Sequence, residues 1–175
     1  MPGFDKKTQM MDAGSVFYKT SEGFGFALGA VKTVLSPLGK LYEVSEDGGK
    51  FSQTVKMEDL PDSVEAADFF LDLSTPWRNR YISCKVEDAG KDAAGEGLER
   101  YAVSLREGNS NTPLRRGLLS CSAAVLFLAA ILCGWGFLAN LLLICLSLLC
   151  LWLLVCPSAI QQKTIGHIKE SLKFH

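Results

Sequence analysis

The chain has 175 residues, with 18 Lys+Arg against 19 Asp+Glu and a formal net charge of −1. That length allows one ordinary domain. The near-neutral balance excludes a strongly basic nucleic-acid binder, which needs a cationic excess to neutralise phosphates, and six Cys are too few for a disulfide scaffold.

Residues 1–22 are polar and read as irregular. They hold no 7–15-residue apolar core of a secretory signal and no Arg-rich, acid-poor transit character. Residues 23–39, GFGFALGAVKTVLSPLG, are apolar and Gly-rich with one charge at Lys32. A short amphipathic helix packed on the head is favoured here, stopped by Pro37 and Gly39. The alternative is a close helix–helix contact through the small pair Gly25 and Gly29. Two strand-like stretches follow, Lys40–Val44 and Lys50–Met57, with Ser45-Glu46-Asp47-Gly48-Gly49 as a hairpin connection between them.

Asp59-Leu60-Pro61-Asp62 opens an expected helix, with Pro near its first turn. Leu60, Val64, Ala67 and Leu71 recur at helical spacing, and Pro76 closes the element. Arg80–Val86 and Arg100–Leu105 alternate apolar and polar residues as strands do. The Gly/Ala-rich connector between them, and residues 107–116 after them, read as a loop and a linker. The expected head is therefore α+β: about four antiparallel strands and one clear helix, over residues 40–106 with the segment 1–39 in front. The stretch Glu43–Asp72 contains nine acidic residues and two Lys. A solvated surface is the first reading of it and a docking patch for a basic partner the second.

From Gly117 to Gln162 no residue is charged, a run of 46 positions. Leu dominates its apolar core, Leu118–Cys156, where Asn140 is the one strongly polar side chain. A bilayer core of about 30 Å is crossed by roughly 20 apolar residues, so one continuous helix would rise about twice what is needed. Strong tilt does not absorb that excess. The turn signal is Gly134-Trp135-Gly136, in which Gly permits a tight reversal and Trp favours the interface. The expected element is a membrane-embedded helical hairpin over 117–157, with helices about Gly117–Cys133 and Phe137–Cys156, ended by Pro157. Two alternatives stay open: a wedge entering one leaflet, and a buried helical pair in a soluble protein.

Ala123, Ala124, Ala129 and Ala130 supply small helix-packing positions, and Asn140 a hydrogen-bonding one. Arg115, Arg116, Trp152, Lys163 and Lys169 read as interface anchors. Both flanks are basic, so the positive-inside rule places both termini on the cytosolic or matrix side of an organelle membrane, mitochondrial inner membrane or endoplasmic reticulum. Cys121 and Cys156 lie where palmitoylation is chemically open. Residues 158–175 place Ile165, Ile168 and Leu172 on one stripe of an amphipathic helix, which either lies on the headgroups or packs on the head.

No catalytic constellation emerges. The two His, His167 and His175, both lie in the last nine residues. No Cys-x-x-Cys, His-x-x-x-His, Gly-x-Ser-x-Gly or Walker-type phosphate loop is present. The reading is a non-catalytic integral-membrane accessory or structural subunit of a multi-subunit complex, without cofactor, metal or nucleic acid. Its expected partners are other membrane-protein subunits and the lipid bilayer. The alternatives are a membrane-shaping hairpin and a membrane-anchored adaptor whose head recruits a soluble partner.

Overall fold

A computed structural model describes residues 4–45, 53–91, 98–132, 136–155 and 160–173. The elements run β1 (Met10–Thr20), α1 (Phe24–Leu35), β2 (Lys40–Ser45), β3 (Thr54–Lys56), β4 (Phe69–Asp72), β5 (Arg78–Lys91), β6 (Glu99–Asn111), α2 (Pro113–Leu132), α3 (Phe137–Val155) and α4 (Ile160–Lys173). The chain is α+β, and its strands form one six-stranded mixed sheet of order β1-β6-β5-β4-β2-β3. By contacts the chain divides into two compact units. One holds Met1–Thr75, Asn79–Ser110 and Ala159–His175; the other holds Pro76–Arg78 and Asn111–Ser158.

In the first unit the sheet is covered on both faces. Val16, Tyr18, Tyr101, Val103 and Leu105 alternate along β1 and β6 and point into one core with Ile82, Cys84 and Val86 of β5. Over this face lie Ala27, Val31 and Leu35 of α1, spaced four apart, and Ile165, Ile168 and Leu172 of α4. Ile168 and Leu172 are each only 1% exposed. Burying a side chain of this size contributes about 1.5–3 kcal/mol. The amphipathic tail is thus a core element of the head, and its stripe is spent on protein. The Lys169 ammonium donates to the Ala13 carbonyl of β1.

The opposite face carries a second core of Met10, Val55, Leu60, Val64, Ala67, Phe70 and Tyr81. The Phe4 ring closes it edge-on, 4.9 Å from Phe70 and 5.7 Å from Tyr81 between centroids. The N-terminal segment is held there by polar contacts as well. Thr8 Oγ1 donates to Ser110 Oγ at 2.8 Å, Ser110 Oγ donates to Asp5 Oδ2 at 2.8 Å, and Ser63 Oγ donates to the Thr8 carbonyl at 2.9 Å. These bonds satisfy polar groups that burial would otherwise leave costly.

Several expectations are corrected. Residues 60–71 are not a helix: after a 3₁₀ turn at Met57–Asp59 the chain is irregular and then enters β4. Phe69, Phe70 and Leu71 are all buried because β4 lies inside a sheet covered on both faces. Such a strand reads as a continuous apolar run rather than an alternation. Leu60, Val64 and Ala67 sit under the sheet as a covering segment. Within the polar N-terminal segment, Met10–Thr20 is not irregular but the edge strand β1, paired antiparallel to β6 with Val16 opposite Val103. A bulge between Asp12 and Gly14 disrupts its alternation; Gly14 has φ 87°, and the Asp12 carboxylate accepts its amide at 2.7 Å.

β3 is only three residues long and pairs parallel to β2, so the expected antiparallel hairpin is replaced. Its proposed turn, 45–49, lies mostly outside the described residues. β5 and β6 run further into the connector than expected, to Lys91 and from Glu99, and β6 continues to Asn111 where a linker was expected. The short helix before Pro37 is present as α1. Gly39 after it is required by packing, since a Cβ there would come within 2.6 Å of Leu73 Cδ2 and 2.9 Å of the Asp72 carbonyl.

Two outcomes follow. Ile168→Ala destabilises the folded chain by about 2–4 kcal/mol, as large-to-small core changes do, read as a lowered denaturation midpoint in detergent; an unchanged midpoint would remove α4 from the core. Burial, helped by the Asp68 carboxylate, pushes the Cys84 thiol from 9.0 up to about 12. The unfolded chain therefore releases this proton first. Its contribution is intact below pH 9.0 and declines between there and about 12, by at most about 1.4 kcal/mol per pH unit. Cys84→Ala flattens that alkaline slope in unfolding curves taken across the window.

Candidate functional site

The second unit is built on α2 and α3. Pro113 occupies the first position of α2, where its missing amide donor costs nothing. Thr112 caps the helix: its carbonyl accepts from the Arg116 amide at 3.0 Å and its Oγ1 from the Arg115 amide at 3.3 Å. The Thr112 hydroxyl also donates to the Pro76 carbonyl at 2.8 Å, which ties the Pro76–Arg78 segment to the start of the helix.

α2 begins four residues earlier than expected and spans 20 residues, Pro113–Leu132. This one helix is long and apolar enough to cross a membrane, and 11% of its apolar window is buried. The apolar stretch of α3, Phe137–Leu153, is shorter. Length and composition thus mark a single candidate span among the described residues, where two were expected. A span needs roughly 20 apolar residues, and the apolar stretch of α3 falls short of that.

The two helices pack on each other. Ala123 and Ala130, seven residues apart, are 5% and 6% exposed. Ser147 of α3 is 5% exposed and donates its hydroxyl to the Ala123 carbonyl at 3.0 Å. Small side chains at this seam let the backbones approach closely enough for that bond. Ala124 is exposed and Ala129 half-buried, so the four alanines divide between the seam and its margin. Ser147 is the seam position that sequence reasoning passed over, a lone hydroxyl within a Leu run. The Asn140 Oδ1 is buried without a donor among the described residues.

Of the expected turn, Gly134 and Trp135 lie outside the described residues. The Gly136 carbonyl accepts from the Ala139 and Asn140 amides at 2.9 and 3.2 Å and so opens α3. Arg115 donates from Nη2 to the Leu153 carbonyl at 2.7 Å, joining the start of α2 to the last turn of α3. Arg116 is exposed, and Trp152 is 60% exposed. Lys163 is exposed on α4 and Lys169 is engaged with β1, both in the first unit, while Arg115, Arg116 and Trp152 belong to the second. Cys121 is exposed on α2, and Cys156 is outside the described residues.

The outward surface of the pair is apolar. Val125, Phe127, Leu128 and Ile131 of α2 and Phe137, Leu138, Leu142 and Leu148 of α3 are each at least half exposed. Patches of this extent in a soluble monomer mark an interface or a membrane. Among the described residues no group of three or more His, Cys, Asp or Glu is placed to hold a metal ion. No family model, curated protein or solved structure matches the chain.

The seam gives a direct test. Ala123→Leu forces the helices apart and costs about 1–3 kcal/mol, as overpacking does. Ala124→Leu, one residue away on the exposed side, changes stability by less than about 0.5 kcal/mol. Thermal unfolding in detergent separates the two, and equal effects would place the seam elsewhere.

Proposed function

We propose that the chain is a non-catalytic membrane-anchored accessory subunit, held in the bilayer by α2 and α3 and presenting its sheet unit on one side. The observation that carries this reading is the location of α4. Met1–Thr75, Asn79–Ser110 and Ala159–His175 belong to one compact unit, with Ile165, Ile168 and Leu172 in its core. In this reading both ends of the apolar block return to the same side of the membrane. A helical hairpin, spanning or inserted in one leaflet, fits that connectivity, and the proposal adopts it. The low burial of α2 supports the same reading, since a core helix of a soluble protein is mostly buried.

The subunit reading rests on what the apolar pair needs around it. Lipid covers a Leu-rich face at no cost, while an exposed small residue such as Ala124 suits a partner helix. Basic flanks orient the sheet unit toward the cytosol or an equivalent compartment such as the matrix. The membrane-shaping alternative drew on a tail helix lying on headgroups, and the stripe that would do this is buried in the head. The adaptor alternative drew on the acidic stretch, several of whose carboxylates have partners in the fold: Glu43 with Lys32, Asp68 with the Val86 amide, Asp72 with the Ser74 amide.

Two measurements decide the proposal. Native membranes washed at alkaline pH retain the chain, and a mild detergent releases it in an assembly much larger than a monomer in its micelle. Release by the alkaline wash would end the anchor, and a monodisperse monomer would end the subunit.

A further inference from the structure

The helical unit contains three arginines, Arg78, Arg115 and Arg116, and no Asp or Glu. Beside Arg115 lies an open cavity of about 280 Å³ lined by Trp77, Arg115, Leu118, Leu119 and Leu153. The Trp77 indole is 53% exposed, Leu118 48% and Leu153 37%. The cavity thus has a cationic end and an apolar floor. The floor runs on into the exposed apolar surface of α2.

We propose that this cavity binds an anionic phospholipid. The inference rests on the membrane-anchor reading and names the lipid that one end of the anchor selects. Arg115 spends one N–H on the Leu153 carbonyl. A guanidinium has five donors in a planar fork, so its remaining edge suits a phosphate. That same bond holds the fork in place at the seam, which lowers the entropy lost when it meets a ligand. Arg116, exposed on the next position, adds a second positive charge with no acidic residue in the unit to compete. The first acyl carbons lie along Leu118, Leu119 and Leu153, and Trp77 takes the level of the glycerol, the depth that indoles favour. Charge complementarity selects the occupant: a zwitterionic lipid gains from the apolar floor but brings an ammonium against two arginines.

The test uses the full chain reconstituted in vesicles, with Trp135→Phe and Trp152→Phe leaving Trp77 as the reporter. Phosphatidylglycerol or phosphatidylcholine brominated near the top of the acyl chain serves as the quencher. Expected is quenching of Trp77 by the brominated phosphatidylglycerol at a mole fraction several-fold lower than by the brominated phosphatidylcholine. Each juxtamembrane arginine contributes about fivefold to such a preference. Arg115→Gln with Arg116→Gln abolishes the preference while the chain stays in the vesicles, and Arg115→Lys with Arg116→Lys keeps most of it. Maleimide protection of Cys84 reports that each variant is folded. Equal quenching by both lipids, or a preference that survives the Gln pair, overturns the lipid site and leaves the anchor standing. A chain that stays outside vesicles of both compositions overturns the anchor itself, and the site with it.

Discussion

The fold depends on one closure across a long gap. The apolar stripe of α4 enters a core whose other walls come from α1 and from β1, β4, β5 and β6, all of which precede the apolar block in the chain. With Ile168 and Leu172 at 1% exposure, this closure contributes on the scale of several buried side chains. Within the second unit α2 and α3 pack on each other in antiparallel order, with the start of α2 bonded to the last turn of α3. Ala123, Ala130 and Ser147 form the seam between them.

The sheet shows how a small head gains a sufficient core. A region of this size buries a modest share of its surface when only one face is covered. Here the first face is roofed by two helices and the second by the segment around Leu60–Ala67 with Phe4. The N-terminal segment is tied down by Thr8, Ser63 and Ser110 rather than by apolar contact alone. Those hydroxyls are the cost of running a polar strand along the sheet edge, and each has its partner.

The parts legible in the residues were those whose signal is local. The apolar run stopped by Pro37 and Gly39 reads as a short helix, and Ile165, Ile168 and Leu172 form a helical stripe after the apolar block. The absence of charge from Gly117 to Gln162 needs no partner to be read. The parts misread were those decided at a distance. Leu60, Val64, Ala67 and Leu71 fit a helix by spacing, yet Phe70 and Leu71 are in a strand paired with Ser83 and Ile82. β1 has only Val16 and Tyr18 as alternating apolar signal beyond its bulge, and its strand character comes from β6, more than eighty residues away.

The candidate site divides the same way. Arg115, Arg116 and the small residues of α2 were visible as flanks and seam positions. The pairing of Arg115 with the Leu153 carbonyl and the place of Trp77 beside it were not, because both join residues far apart in the chain. By itself the sequence determined that this protein has a charged head, a long uncharged apolar block and an amphipathic tail, since composition and period are properties of consecutive residues. Only the tertiary structure decided that the tail belongs to the head, that both sheet faces are covered and that one arginine bridges the two apolar helices. Those outcomes are contacts between distant segments, and no consecutive run of residues encodes which of several compatible surfaces will bury it.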